Sequence, residues 1–230
     1  MITLIHAPRS RSSSTLWLME ETGAPYRVRR VDIRRMDGAG RLDPSNPHPH
    51  GKVPALLDGD AMIFEQSAIA LYIADRFPQA KLGPPVGDPG RGLFVTMLAY
   101  YSGVVEPAVT SKFLGQPVPR GSAGWVDLSE VTAFLNGALT SRPFIAGDTF
   151  TSADILYAGL FGYFLDTPFM ADLERGAINT YVARCHERPA RAPSPRTKSA
   201  TDRRFSLYGR SRARTARRAG TSRRPRLRAG

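Results

Sequence analysis

The chain has little of what marks secreted or membrane-spanning proteins. It contains one cysteine, Cys185, among 230 residues, and it has neither a run of eighteen apolar residues nor the apolar segment of a secretory signal peptide. These absences argue against a disulfide-stabilised secreted domain and against a transmembrane helix. A reducing cytoplasm is therefore the expected compartment, with no membrane partner.

Acidic residues are also scarce, and their shortage is local. The chain carries 32 Lys and Arg residues against 20 Asp and Glu residues, a formal charge of +12. Residues 190–230 hold thirteen arginines and Lys198 against a single acid, Asp202, which is a charge of +13. The preceding residues therefore carry −1, and the basic character of the whole chain says nothing about its globular part.

Residues 190–230 are predicted to be a basic disordered tail. They alternate Arg, Ala, Ser, Pro, Thr and Gly, and their few apolar side chains cannot offset the entropy lost on ordering. Two interpretations are open. The tail is either the product of a reading-frame change or an arm that binds nucleic acid non-specifically, through phosphates.

The first 78 residues predict a small α/β domain with a mixed sheet. Helical spacing indicates two helices, and short β-forming runs indicate four strands, in the order βαβ and then ββα. The predicted helices lie at 16–23 and 67–77, and the strands at 2–6, 26–31, 53–57 and 61–64.

The rest of the globular part predicts helices. Residues 79–89 are rich in Pro and Gly and are typical of an interdomain linker. Residues 90–189 should form an all-helical domain, with helices at 91–113, 125–140, 152–165 and 176–186. Thr151 and Asp154 have the spacing of a capping box, so Asp154 is expected to bind amides at a buried helix start. A catalytic role for Asp154 is the less favoured alternative.

A proline stands where the third strand should begin. Because proline donates no hydrogen bond, it normally interrupts a ladder. A cis Val53–Pro54 bond would turn the backbone of Val53 outward, where it can pair with an extended peptide. Ser67, at a helix start, offers a hydroxyl and free amides to a carboxylate. Together these features predict a receptor for a small anionic peptide.

Four motifs in a fixed order carry a resemblance to a known family. They are the serine-rich opening Pro-Arg-Ser-Arg-Ser at 8–12, Lys-Val-Pro at 52–54, Glu-Gln-Ser at 65–67 and Thr-Ser-Ala-Asp at 151–154. Residues 1–189 resemble the glutathione S-transferases, and most of all the bacterial and fungal subgroup with this opening. The resemblance implies an α/β thioredoxin-like N-terminal domain, an all-α helical-bundle C-terminal domain, a homodimer and glutathione as co-substrate.

The resemblance also implies where the glutathione thiol is activated. When Glu20 and Glu21 are matched with the acidic pair of the family, the activating position falls at or near Arg11. Ser12, Ser10 and Arg11 are therefore the candidate catalytic residues, with a slight preference for Ser12. A hydroxyl or a cation beside a helix N-terminus stabilises a thiolate, and lowering its pKa by about two units requires roughly 2.7 kcal/mol. The alternative is that the serines only cap the helix.

The other groups of glutathione need partners as well. By the same resemblance, acidic and amide side chains take the γ-glutamyl ammonium, a serine takes its carboxylate, a basic side chain takes the glycine carboxylate, and a strand backbone pairs with the cysteinyl part. Glu65 and Gln66 are the candidates for the ammonium, and Ser67 is the candidate for the γ-glutamyl carboxylate. Lys52, assisted by His50, is the candidate for the glycine carboxylate. Val53 with Pro54 is the candidate for the cysteinyl backbone. No metal site is predicted.

The favoured function is a detoxifying glutathione transferase that joins the glutathione thiolate to a small apolar electrophile. An apolar pocket is expected between the domains. Tyr100, Tyr101, Phe161 and Phe164 have suitable side chains, although aromatic residues at this spacing more often form core. The alternatives are a catalytically silent glutathione-fold binding protein, a glutathione-dependent peroxidase or isomerase, and a nucleic-acid-associated protein.

Overall fold

A computed structural model of the protein describes residues 1–165 and 167–191. The predicted tail beyond Arg191 lies outside the described residues.

Four short strands form one mixed sheet: β1 (Thr3–His6), β2 (Arg27–Arg30), β3 (Ala55–Asp58) and β4 (Ala61–Phe64). Their order is β2-β1-β3-β4, with β1 parallel to β2 and antiparallel to β3, and β3 antiparallel to β4. Strand β1 is central, and its Leu4 and Ile5 are fully buried, one on each face of the sheet. Strand β2 lies at an edge, where exposed arginines oppose pairing with other chains.

Two helices complete this domain, α1 (Ser12–Glu21) and α2 (Gln66–Arg76). The predicted order of strands and helices is confirmed. Helix α1 begins four residues before the apolar run that predicted it, because the polar residues Ser12 to Thr15 form a buried first turn.

The C-terminal domain contains the helices α3 (Arg91–Tyr100), α4 (Glu106–Phe113), α5 (Leu128–Ser141), α6 (Ser152–Phe164) and α7 (Gly176–His186). The predicted helix over 91–113 is present as one continuous helical segment, in which a π-helical turn at Tyr101–Val105 joins α3 to α4. Within the described residues, the continuous helix 91–113 is the one segment long and apolar enough to cross a membrane, a test that core helices of soluble proteins also pass.

Helix α6 lies at the centre of the molecule. Its residues from Ser152 to Phe161 are all buried. The Ser152 hydroxyl donates to the carbonyl of Ala70 in α2 (3.0 Å), and the Tyr157 hydroxyl donates to that of Met97 in α3 (2.8 Å). At Gly159 an added Cβ would lie 2.3 Å from the Ser14 hydroxyl, so glycine permits α1 to approach α6 closely. Helix α6 therefore fixes the two domains against each other.

The predicted capping box begins α6. The carboxylate of Asp154 is fully buried and accepts hydrogen bonds from the amides of Ile145 and Thr151 (2.7 Å each) and from the hydroxyls of Thr151 (2.9 Å) and Tyr181 (3.0 Å). Burial raises the pKa of Asp154, and these hydrogen bonds work in the opposite direction. Its role is structural, as the sequence indicates.

Two segments predicted to be irregular pack on this core. Leu82, inside the predicted linker, is buried, and its carbonyl accepts the amide of Ser152 at 2.7 Å. A short 3-10 turn at Pro189–Arg191 contacts α1, and Ala190 packs against the core. The tail was predicted to start at residue 190, but residues 190 and 191 belong to this turn.

Candidate active site

The loop between β1 and α1 meets the beginning of α2. The side-chain amide of Gln66 donates to the carbonyl of Arg11 (3.3 Å), which joins the two segments. Arg9 and Glu65 both have left-handed backbone conformations, with φ of +56° and +68°. Such conformations cost energy for residues other than glycine and cluster at functional sites. The guanidinium of Arg35 donates to the carbonyls of Pro8 (2.9 Å) and Arg9 (3.3 Å) and so fixes the loop.

The hydroxyl of Ser12 is committed to this loop. Ser12 is fully buried, and its Oγ accepts the amide of Ala7 (3.2 Å) and lies 2.8 Å from Nδ1 of His6 and 2.7 Å from Oγ of Ser10. Ser10 is partly exposed, donates to the Ala7 carbonyl (2.7 Å) and accepts the Ser12 amide (3.2 Å). Ser12, preferred from the sequence, thus sits behind Ser10 in a hydrogen-bonded chain that ends at His6.

Arg11 is the most exposed of the three candidate catalytic residues. Its guanidinium binds both carboxylate oxygens of Glu106, at the start of α4, with a distance of 2.7 Å from Nε to Oε1. The hydrogen bond with Glu106 raises the pKa of Arg11, so the side chain is a permanent cation. The Arg11 side chain remains 55% exposed, so a guanidinium is accessible to solvent where the N-terminal domain contacts α4.

The start of α2 brings together the residues predicted to hold the γ-glutamyl end. Glu65 is exposed at the N-cap position, and Gln66 is buried. The amides of Gln66, Ser67 and Ala68 form no hydrogen bond within the described residues, as expected for the first turn of a helix. The Ser67 hydroxyl, however, donates to the Leu98 carbonyl (2.6 Å) and lies 2.6 Å from the hydroxyl of Ser102.

The Val53–Pro54 peptide bond is cis, as predicted. The backbone N–H and C=O groups of Val53 are unpaired within residues 1–165 and 167–191. Lys52 and His50 are exposed beside them. His48 is buried against Phe64 and its Nδ1 accepts the amide of His50 (3.1 Å), while burial lowers the pKa of His48.

The aromatic residues considered for an electrophile pocket divide into two groups. Tyr101 and Phe161 are buried in the core. Tyr100 and Phe164 are partly exposed and pack against Phe134 and Phe169, with ring centroids 5.3 and 4.6 Å apart. Tyr101 and Phe161 therefore form part of the core, which is the commoner role of aromatic residues at this spacing.

Sequence reasoning missed the residues that reach the site from elsewhere. Glu106 and Ser102 come from the helical domain, and Arg35 comes from the loop after β2. No local pattern marks them, because Arg11 and Glu106 are 95 positions apart and Ser67 and Ser102 are 35 apart. The Pro107 that follows Glu106 indicates only a helix start.

An α/β domain with a Pro-started strand beside two helix N-termini, followed by a helical domain, defines the class of two-domain thioredoxin-like proteins. Residues 1–75 match the family model "Glutathione S-transferase, N-terminal domain", and residues 126–189 match "Glutathione S-transferase, C-terminal domain".

Individual proteins agree with these matches. Glutathione S-transferase F14 of Arabidopsis thaliana is 25% identical over 167 residues, which cover 68% of this chain and 66% of the plant protein. The uncharacterized GST-like protein YncG of Escherichia coli K12 is 30% identical over 165 residues, covering 67% of this chain and 78% of the relative. A solved sphingomonad glutathione S-transferase complexed with glutathione is 28% identical with a TM-score of 0.64, covering 82% of this chain and 94% of that one.

The chain therefore belongs to the glutathione S-transferase family. The predicted fold class is confirmed, and so is the enzyme class at the level of the family.

Proposed function

We propose that the protein conjugates the thiolate of glutathione to a small apolar electrophile. The observation that carries this proposal is that the loop bearing the exposed guanidinium of Arg11 is hydrogen-bonded through Gln66 to the start of α2, whose first amides are unpaired within the described residues. The unpaired backbone of Val53 precedes β3, the strand that pairs with β4 just before α2. A cation, a set of free N–H groups and an unpaired backbone segment next to a strand match the thiolate, the γ-glutamyl carboxylate and the extended backbone of the tripeptide. Glutathione is the co-substrate of the proposed reaction.

Each end of glutathione has partners in this arrangement. Glu65 is exposed and ionisable, which suits the γ-glutamyl ammonium, while Gln66 is buried and holds the Arg11 carbonyl. The amides at the start of α2 suit the adjacent carboxylate, and the Ser67 hydroxyl joins them only when it leaves the Leu98 carbonyl. Lys52, assisted by His50, is exposed next to Val53 and suits the glycine carboxylate at the other end.

The proposed chemistry is nucleophilic attack by sulfur. Glutathione loses its thiol proton to solvent, the thiolate forms a bond to the electrophilic carbon, and the leaving group departs with its electron pair. Lowering the thiol pKa by about two units requires roughly 2.7 kcal/mol of differential stabilisation. A charge-assisted hydrogen bond at a partly exposed site supplies about 1.5–3 kcal/mol.

Within the activating loop, Arg11 and Ser10 are better placed than Ser12 to contact the thiolate. Ser12 is fully buried and bonded to its own loop, whereas Ser10 and Arg11 are accessible. Ser12 would then act by orienting Ser10, to which its hydroxyl is linked at 2.7 Å.

Two measurements test the proposal. Isothermal titration with glutathione reports binding, and turnover of a generic aromatic halide reports conjugation. Replacing Arg11 by Ala should shift the pH–rate profile upward by about a unit or more, and Ser10→Ala should shift it less. Arg9→Ala removes a neighbouring exposed arginine and is the matched control. A profile that stays unchanged in both Arg11→Ala and Ser10→Ala would contradict the assignment.

One observation favours a second candidate, a catalytically silent binding protein of the same fold. The hydroxyls of Ser10 and Ser12 are bonded within their own loop, and Arg11 is paired with Glu106, so no activating group is entirely free. Glutathione binding without turnover of any electrophile would establish this candidate. The proposal further includes a cytoplasmic homodimer that acts in detoxification, and sedimentation at micromolar concentration tests the dimer.

A further inference from the structure

Glu106 reaches the activating loop from the helical domain. Its carboxylate accepts hydrogen bonds from Nε and Nη2 of Arg11, and its side chain is only 17% exposed. Because Arg11 precedes α1 and Glu106 begins α4, this bidentate pair joins the N-terminal domain to the helical domain. Two hydrogen bonds to the carboxylate oxygens of Glu106 fix both the position and the orientation of the planar Arg11 guanidinium.

Tyr101 holds Glu106 from the protein interior. Its hydroxyl donates to Oε1 of Glu106 (2.9 Å), and its buried ring lies edge-on to Tyr157 of α6, with centroids 5.3 Å apart. Burial raises the pKa of Tyr101 well above its ordinary value, and the negative charge of Glu106 acts in the same direction. The phenol is therefore a donor throughout the neutral range.

The π-helical turn explains why these two side chains meet. The amide of Glu106 donates to the carbonyl of Tyr101, five residues earlier. In an α-helix, residues five apart lie about 140° apart around the axis and face different ways. In the π-helical turn, the hydrogen bond joins residues five apart and brings Tyr101 and Glu106 to nearly the same side of the helix. Such turns are frequent at functional sites.

Arg11 retains donors that this pairing does not use. A guanidinium has five N–H groups, and its Nη1 group forms no hydrogen bond within the part of the chain that the structure describes. We propose that Glu106, braced by Tyr101, is a positioning residue that holds the Arg11 guanidinium so that its free edge meets the thiolate of bound glutathione. The inference rests on the proposed function, since it requires glutathione bound with its thiol beside Arg11.

The charge of Glu106 and its geometry act in opposite directions. A carboxylate near a thiolate raises the thiol pKa, so Glu106 can assist only by positioning Arg11. The other titratable groups against the pair are Tyr101 and, behind it, Tyr157, and both are raised in pKa by burial and stay neutral. Glu106→Asp therefore separates the two effects, because it keeps the charge and shortens the side chain by one methylene.

The experiment measures the thiol pKa of enzyme-bound glutathione from the ultraviolet absorbance of the thiolate, together with the pH profile of kcat/KM for an aromatic halide. Glu106→Asp and Tyr101→Phe are each made alone and together with Arg11→Ala. Glu130→Asp is the matched control, since Glu130 pairs with Arg120 on the surface of the helical domain. Titration calorimetry with glutathione accompanies each variant.

Glu106→Asp and Tyr101→Phe should each raise the thiol pKa in the direction of Arg11→Ala, by about half a unit to one unit, a threefold to tenfold loss of thiolate below the pKa. Neither should change it further once Arg11 is alanine, and Glu130→Asp should not change it at all. An equal rise in the absence of Arg11, or no rise in either variant, would overturn the inference while wild-type binding and turnover still supported the proposed function. A wild-type protein that neither binds nor conjugates glutathione would overturn both.

Discussion

Arg188 ties the end of the described chain to the helix that begins at the active site. Its Nε and Nη2 donate to the two oxygens of Glu21 (2.7 Å each), and its guanidinium lies 3.9 Å from the ring centroid of Phe150. The Glu21 side chain is 6% exposed and that of Arg188 is 39% exposed. Glu21 is also the last residue of α1, where the helix dipole disfavours a negative charge.

Replacing Arg188 by Met keeps apolar contact with Phe150 and removes both hydrogen bonds. Among the residues that the structure describes, the nearly buried carboxylate of Glu21 then keeps one donor, Nε1 of Trp17 at 2.9 Å. Losing one partner of a buried ion pair costs about 3–5 kcal/mol, and the exposure of Arg188 reduces this to about 2–3 kcal/mol. At about 2–4 °C per kcal/mol for a chain of this size, Tm should fall by about 4–12 °C.

The assay is urea unfolding at neutral pH, with Arg76→Met as the matched control. Arg76 pairs with Asp58 through a single hydrogen bond of 3.2 Å and is largely exposed, so its loss should cost less than about 1 kcal/mol. Adding Glu21→Gln to Arg188→Met should recover part of the loss, because no buried charge is then left unpaired. If Arg188→Met costs no more than Arg76→Met, the reasoning about the buried carboxylate is refuted.

Three further predictions concern binding, pH and the tail. If the Ser67 hydroxyl leaves the Leu98 carbonyl for the carboxylate of glutathione, Ser67→Ala should weaken binding by about 1–3 kcal/mol in titration calorimetry. An unchanged Kd would show that the hydroxyl stays on Leu98 and that the helix amides hold the carboxylate alone. Burial lowers the pKa of His186 to about 4. Because only the unfolded state takes up this proton as pH falls from about 6.5 to 4, stability should drop by about 1–2 kcal/mol across that window, and His186→Gln should flatten the drop in urea melts. An equal slope in His186→Gln would contradict this. A chain ending at Arg191 should keep its affinity for glutathione and lose a salt-sensitive affinity for polyanions, and salt-resistant or sequence-selective nucleic-acid binding by the full chain would oppose this account of the tail.

Local patterns were sufficient for most of the secondary structure. β4 at Ala61–Phe64 and α7 at Gly176–His186 have the predicted bounds. The signals that predict them, which are alternation, helical spacing and turn residues, each depend on residues only a few positions apart. The Thr151–Asp154 capping box was predictable for the same reason. The division into domains at 1–78, 79–89 and 90–189 stays a prediction, as do the roles of the individual site residues.

The sequence by itself determined the element order, the family and the motifs at the starts of α1 and α2, since each of these depends on residues close together in the chain. Only the tertiary structure decided which side chains are available there. The folded β1–α1 loop buries Ser12 among His6, Ala7 and Ser10, and contact with α3 turns the Ser67 hydroxyl toward Leu98. A π-helical turn aligns Glu106 with Tyr101 and places it on Arg11. The contacts of Arg11 with Glu106 and of Ser67 with Leu98 join residues 95 and 31 positions apart. Their geometry depends on how whole helices pack, which no short stretch of sequence encodes.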